Sequence, residues 1–307
     1  MRTAYITHPD CRAHDTGPAH PEHAGRLYAI EDQFVASGLD TVLRYVDAPL
    51  VSDEQLLRVH PRKYIESIRA AIPETGYARL DPDTVVSPNS LNAAYRAAGS
   101  VVAAVDLVMG GDVESAFCGV RPPGHHAEST RSMGFCLFDN IAVGAAHALE
   151  TYGLERVAIV DFDVHHGNGT EEIFQDENRI LFCSTFEHPF YPFTPLRENT
   201  ANRISVPLTA SAKGDEFRAA VTEHWLPALE AFQPEMVFVS AGFDAHRDDE
   251  MSHVSLTDAD FKWVSERIVE VANQYASGRI VSVLEGGYEL KSLARCVEAH
   301  VRVLMDN

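Results

Sequence analysis

No stretch of about 18 apolar residues, the length that carries a helix across a bilayer, occurs in this chain of 307 residues. A membrane-spanning protein is therefore not expected. Cysteine is scarce: Cys11, Cys118, Cys136, Cys183 and Cys296 make an odd set without a CxxC pair. That argues against a disulfide framework and for reduced thiols in a cytoplasmic protein. The N-terminal residues lack a cationic start followed by an apolar stretch, so no secretion leader is expected. Positive charge is also short. Against 45 Asp and Glu stand 25 Lys and Arg, a net charge of −20. A nucleic-acid partner would need clustered Lys and Arg, whereas a negative field suits solubility and draws in cationic substrates. Gly (19) and Pro (16) are close to average usage, which excludes collagen-like and low-complexity classes.

Short apolar runs alternate with longer amphipathic stretches. The runs Thr3–Thr7, Val42–Val46, Ser115–Val120, Val157–Phe162, Ile180–Ser184, Ile204–Val206, Met236–Ala241 and Ile280–Leu284 read as strands. Most lack clean alternation, as expected of strands buried on both faces. Leu91–Met109, Asn140–Tyr152, Glu216–Phe232, Asp258–Ala276 and Leu290–Met305 read as helices, and Thr257 with Asp260 resembles a capping box. This order predicts one α/β domain over residues 1–307, with a central, mostly parallel sheet of about eight strands covered on both faces. Ligands of such sheets bind beyond the carboxyl ends of the strands.

Chemistry-bearing residues fall at those ends. Val160–Gly169 places Asp161, Asp163, His165 and His166 after a buried strand, where unpartnered charge is expensive. Side-chain alternation there would put Asp161, Asp163 and His165 on one side, with Asp163 and His165 spaced for a single ion. The alternative is a set of capping and hydrogen-bonding residues ahead of a helix. Arg121–Ala127 carries adjacent His125 and His126 at a Pro-Gly turn, a pattern also found in surface loops. Ser240–Asp244 can add a second carboxylate, Asp244. Leu284–Tyr288 pairs two glycines with Tyr288, which could equally be aromatic packing. Together, Asp163, His165 and Asp244 would make a one-His, two-carboxylate site with open positions, the mark of a catalytic metal. Zn²⁺ or Fe²⁺ suits such mixed ligands.

The set RPPGHHA, GFC (Gly134–Cys136), DFDVHHGNGT, SAGFDAH and LEGGY resembles the zinc-dependent histone deacetylase superfamily. It is most similar to the class II and bacterial branch, which includes acetylpolyamine amidohydrolases. The resemblance implies an arginase/deacetylase-like fold and hydrolysis of an N-acetyl amide on a primary amine. It implies one Zn²⁺ on Asp163, His165 and Asp244, with Fe²⁺ as the alternative ion. It implies His126 as general base and then acid, His125 as its charge-stabilising neighbour, and Tyr288 as donor to the oxyanion. Asp161 would orient His125, and Asn168 would orient His126. An uncharged Asn168 should leave His126 neutral and ready as a base near pH 7. Phe135 and Tyr191 match the walls of an acetyl-lysine tunnel, and Gly134 matches the acceptor for the substrate amide. Arg26 and Gly287 match further substrate-side positions, Arg26 as an inner-cavity arginine meeting acetate. Structural K⁺ is implied at Asp161, Asp163, His165, Ser184 and Thr185, and at Phe174, Glu177 and Ile180.

Two departures bear on substrate. The loop after Pro192 reads Phe193-Thr194-Pro195-Leu196 in place of the Gly-Thr-Gly of many relatives. Met251 falls where polyamine-type members carry an acidic gatekeeper, beside Glu250. Three readings remain: a deacetylase of acetyl-lysine proteins or peptides, a deacetylase of small acetylated amines, and a silent module that binds acetyl groups. A homo-oligomer is compatible with the sequence, which does not set the oligomeric state.

Overall fold

The structure is a computed structural model and describes residues 2–306. Its strands are β1 (Thr3–Thr7), β2 (Arg44–Asp47), β3 (Ala78–Arg79), β4 (Val85–Val86), β5 (Ser115–Cys118), β6 (Val157–Asp161), β7 (Ile180–Glu187), β8 (Arg203–Leu208), β9 (Met236–Ala241) and β10 (Ile280–Leu284). Eight of them form one sheet in the order β2-β1-β5-β10-β9-β6-β7-β8, and every adjacent pair in it is parallel. β3 and β4 pair as a small antiparallel hairpin outside the main sheet.

The strands that precede the chemistry-bearing motifs, β5, β10, β9 and β6, are the four neighbours at the centre of the sheet. All four are buried along their whole length, so their sequences show no alternation. Parallel pairing brings all four carboxyl ends to one edge, and the register sets Asp161 opposite Ser240 and Leu284 opposite Ala241. Segments 161 residues apart in sequence thus emerge side by side: Gly124 N–H reaches the Glu285 carboxylate at 2.7 Å.

Helices cover the sheet where the patterns place them, at Ser90–Met109, Asn140–Tyr152, Asp258–Tyr275 and Leu290–Met305. Asp139 caps the second through Ala142 N–H, and the Thr257/Asp260 capping box opens the third. Two helices, Gly25–Ser37 and Arg62–Ala71, lie where no element was expected. Each buries a short apolar stripe (Leu27, Ile30 and Phe34; Tyr64, Ile65 and Ile68), but neither begins with a side-chain cap. The expected helix Glu216–Phe232 is instead two helices, Gly214–Ala220 and Leu226–Phe232, around a wide turn at Val221–Trp225. Pro227 explains the break, since it has no N–H for the usual bond four residues back. Leu226 N–H bonds to Val221 C=O, five residues back.

Candidate active site

Only Asp161 belongs to β6. Asp163 and His165 follow it in the turn toward the helix Asn168–Ile173. Strand alternation therefore is not what aligns them; the turn does. Asp163 N–H donates to Asp161 Oδ1 (3.0 Å), and His165 N–H donates to Asp163 Oδ1 (2.9 Å). The turn meets Asp244, which follows β9. Ligand atoms of Asp163, His165 and Asp244 all lie within 4.8 Å of one another, and all three residues are buried. His165 Nδ1 is 3.1 Å from Asp163 Oδ1 and 3.1 Å from Asp244 Oδ2. Gly286 N–H holds the other Asp163 oxygen at 2.8 Å, and Val164 N–H holds Asp244 Oδ1 at 3.0 Å. A Cβ on Gly242 or Gly286 would strike these carboxylates, so only glycine lets the backbone approach so closely. Two buried carboxylates against one imidazole make an electron-rich, pre-oriented cradle that fits a divalent cation.

The tandem histidines sit beside this cradle, buried rather than on a surface loop. His125 Nδ1 meets Asp161 Oδ2 at 2.9 Å, and His126 Nδ1 meets Asn168 Oδ1 at 2.8 Å. Burial opposes charge on His125, but Asp161, Asp163 and Glu285 outweigh it and hold the imidazole well above its ordinary value. His126 is held well below its ordinary value by burial and by the fields of His125 and His165. Burial also keeps the Tyr288 phenol protonated, against the opposing pull of Arg26.

A cavity of about 170 Å³ opens above these groups, lined by His126, His165, Gly134, Phe135, Tyr191 and Tyr288 together with Asp83, Phe190 and Met251. Its walls are rings. Tyr191 stands perpendicular to His126 at 5.2 Å, Phe190 stacks on His165 at 5.6 Å, and Phe135 meets Tyr288 at 6.0 Å. Gly134 has φ +57°, and a side chain there would collide with the His126 ring. A wider depression of about 720 Å³ adjoins the mouth and shares Asp83 and Tyr191 with the cavity.

A family model described as the histone deacetylase domain matches residues 20–304. The chain belongs to the histone deacetylase family. It is 37% identical to a histone deacetylase-like amidohydrolase of Pseudomonas aeruginosa, over 87% of this chain and 71% of that one. It is 34% identical to type-2 histone deacetylase 2 of Dictyostelium discoideum, over all of this chain but 21% of that protein. The crystal structure of the HDA15 HD domain superposes with a TM-score of 0.92 at 31% identity, covering 99% of this chain and 89% of that one. Membership of the histone deacetylase family supports deacetylation of acetylated amides. Among the described residues, no helix is long and apolar enough to cross a membrane.

Not every expected residue of the deacetylase site lines the cavity. Arg26 is fully buried behind Tyr288, with its guanidinium carbon 4.9 Å from that ring's centroid. It donates to the carbonyls of Gly287 (2.6 Å) and Glu285. Both Arg26 and Gly287 (φ +118°) thus shape the loop that carries Tyr288, and neither is among the residues lining the cavity. Of the expected cation residues, Ser184 Oγ and Thr185 Oγ1 are buried without a hydrogen-bond partner. In the other group, the Phe174 and Glu177 carbonyls already accept Glu177 N–H (3.0 Å) and Ile180 N–H (3.2 Å).

Four further residues, Glu285, Asp249, Phe190 and Glu128, shape or line this site and leave little mark in the sequence. Glu285 lies beneath the histidine turn and accepts Gly124 N–H (2.7 Å) and His125 N–H (3.2 Å), and burial lifts its carboxyl to about 8. A lone acid at the end of an apolar strand was the available signal. Asp249 accepts the N–H groups of Tyr288 (2.6 Å), Glu289 (3.0 Å) and, on its other oxygen, Met251 (3.0 Å). It ties the loop after Asp244 to the loop of Tyr288. Phe190 and Glu128 carried no sequence signal beyond adjacency to Tyr191 and to the HHA motif.

Proposed function

We propose that the protein hydrolyses the N-acetyl amide of acetyl-lysine in proteins or peptides, releasing acetate and the primary amine. The observation that carries this is the three-residue cradle beside the paired histidines, with His126, His165 and Tyr288 opening onto one aromatic-walled cavity. A straight, apolar chain with a polar head fits such a slot. Asp163, His165 and Asp244 would hold a single Zn²⁺, with Fe²⁺ as the alternative. A divalent ion bound there supplies Lewis acidity toward the acetyl carbonyl and toward water.

The remaining work falls to the chain. Phe135 and Tyr191 flank the substrate's methylenes and exclude water. The Gly134 carbonyl accepts the amide N–H and fixes the acetyl group. His126, neutral and hydrogen-bonded through Nδ1, takes a proton from the attacking water at Nε2. As the carbonyl carbon becomes tetrahedral, the Tyr288 phenol donates to its oxygen, and the charged His125–Asp161 pair faces the developing negative charge. The C–N bond then breaks, and the proton on His126 passes to the departing nitrogen.

We also place a structural K⁺ beside β6, at Asp161, Asp163, His165, Ser184 and Thr185. The support is the pair of buried, unpartnered hydroxyls on Ser184 and Thr185. The five buried free thiols suit a reducing, cytoplasmic compartment. A second reading, deacetylation of small acetylated amines, draws support from Asp83, a carboxylate on the cavity wall that could meet a second amine. Met251 on the same wall, where an acid would serve a polyamine, favours the peptide.

Zn²⁺-loaded protein offered acetyl-lysine peptides, acetylputrescine and acetylspermidine separates the readings. The expected result is acetate release from peptides, lost on chelation. Faster turnover of the small amines replaces the first reading with the second. No release from any of them leaves a module that only binds acetyl groups.

A further inference from the structure

The partners of the two floor histidines differ in kind. His125 Nδ1 faces a carboxylate, Asp161, whose two ends are both oxygen. His126 Nδ1 faces an amide, Asn168, whose ends are opposite in character. With oxygen toward His126, the imidazole carries its proton on Nδ1 and leaves Nε2 bare. Turned over, the amide would donate to Nδ1, the ring proton would sit on Nε2, and the base would be lost. Something must hold the amide one way round.

The far side of Asn168 supplies it. Asn168 Nδ2 donates to Glu128 Oε1 at 2.9 Å and lies 3.4 Å from Met133 Sδ. A carboxylate accepts only, so a turned amide would set oxygen against oxygen there. Glu128 is itself fixed. Arg131 Nη2 donates to the same Oε1 at 2.8 Å, and Glu128 N–H closes the turn on the Arg131 carbonyl at 2.9 Å. The Gly167–Gly169 backbone leaves no slack on the other side: Asn168 N–H donates to the His166 carbonyl (2.8 Å), and Gly169 N–H to the His125 carbonyl (3.0 Å).

We propose that Glu128 is a positioning residue that sets the His126 tautomer through the orientation of the Asn168 amide. A carboxylate thus still stands behind the base, one side chain further out than Asp161 stands behind His125. The kinetic consequence rests on the deacetylase reading above; the tautomer does not.

The test has a spectroscopic and a kinetic arm. In Zn²⁺-loaded protein labelled with ¹⁵N at histidine, the His126 signals, assigned by their loss in His126→Gln, should report a protonated Nδ1 and a bare Nε2. A protonated Nε2 overturns the proposal whatever the enzyme does. In Glu128→Gln, a second tautomer should appear, and kcat on an acetyl-lysine peptide should fall about 10-fold with KM little changed. In an Asn168→Asp background, where a carboxylate oxygen already faces Glu128, the same change should cost no activity: it relieves that repulsion, and neither end of the Asp side chain can turn a donor toward His126. An equal loss in the two backgrounds makes Glu128 a support of the turn alone and overturns the proposal. A wild type that releases no acetate defeats the deacetylase reading, and the ¹⁵N signals still decide this one.

Discussion

At the floor of the cavity, Asp163, Asp244, His125 and His126 are 4% exposed or less, and each is tied to backbone N–H groups or to a neighbouring side chain. At the rim, the loop after Pro192 leaves Phe193 at 75% and Leu196 at 47% exposure. The floor stands on the four central strands and is over-determined, because each buried polar group constrains its neighbours. The rim is built from loops that expose large apolar side chains, as binding loops often do. On the proposed reading, reaction chemistry falls to the buried, tightly hydrogen-bonded half and choice of substrate to the loops.

This contrast breaks most readily at the cradle. Asp244→Ala leaves Asp163 and His165 without their third partner; metal content and acetate release should both fall to background. Retention of a full equivalent of Zn²⁺ would remove Asp244 from the ligand set. Tyr288→Phe keeps the ring and loses the donor. Its kcat should fall by about 10²–10³, near 3–4 kcal/mol of transition-state stabilisation, with KM changed far less. A change confined to KM would put Tyr288 at the rim in function.

Stability sharpens the comparison from below the floor. His300 is buried between Ser265 Oγ (2.7 Å) and Ser282 Oγ (2.9 Å), and burial lowers its pKa to about 3. The folded state thus binds the proton less readily than the unfolded chain does. The resulting stability is present above the unfolded value near 6.5 and is lost as pH falls toward about 3. Between pH 7 and pH 5, wild type should lose about 2 kcal/mol more than His300→Gln in urea unfolding. Parallel curves would refute the neutral histidine. Asn168→Asp puts a carboxylate behind His126, raising its pKa, so the acid limb of kcat/KM should move up by about 1 pH unit. At the rim, Phe193→Ala should change stability by no more than about 0.5 kcal/mol. It should alter KM for peptides more than kcat; a collapse of kcat would mean that the rim takes part in chemistry.

The sequence made the parallel sheet and the convergence of distant motifs legible, because buried strands and strand-end polar residues leave strong local marks. The residues that support those motifs were harder to see. Arg26 carries the mark of a pocket arginine, yet its guanidinium is spent on the Glu285 and Gly287 carbonyls. Glu285, Asp249 and Glu128 act on backbone N–H groups or on an amide, and such partners leave no spacing rule along a chain. The helix Gly25–Ser37 shows the same limit: Leu27, Ile30 and Phe34 give a stripe of three, without a cap to mark where it starts.

Gly242 and Gly286 have a consequence for anyone wishing to alter the cradle. With no room for even one methyl beside the Asp163 and Asp244 oxygens, either position offers a way to perturb the proposed ion site without replacing any of its three residues. Alanine there would force the carboxylates to shift while all three cradle side chains stayed in the protein, a perturbation different in kind from replacing one of them.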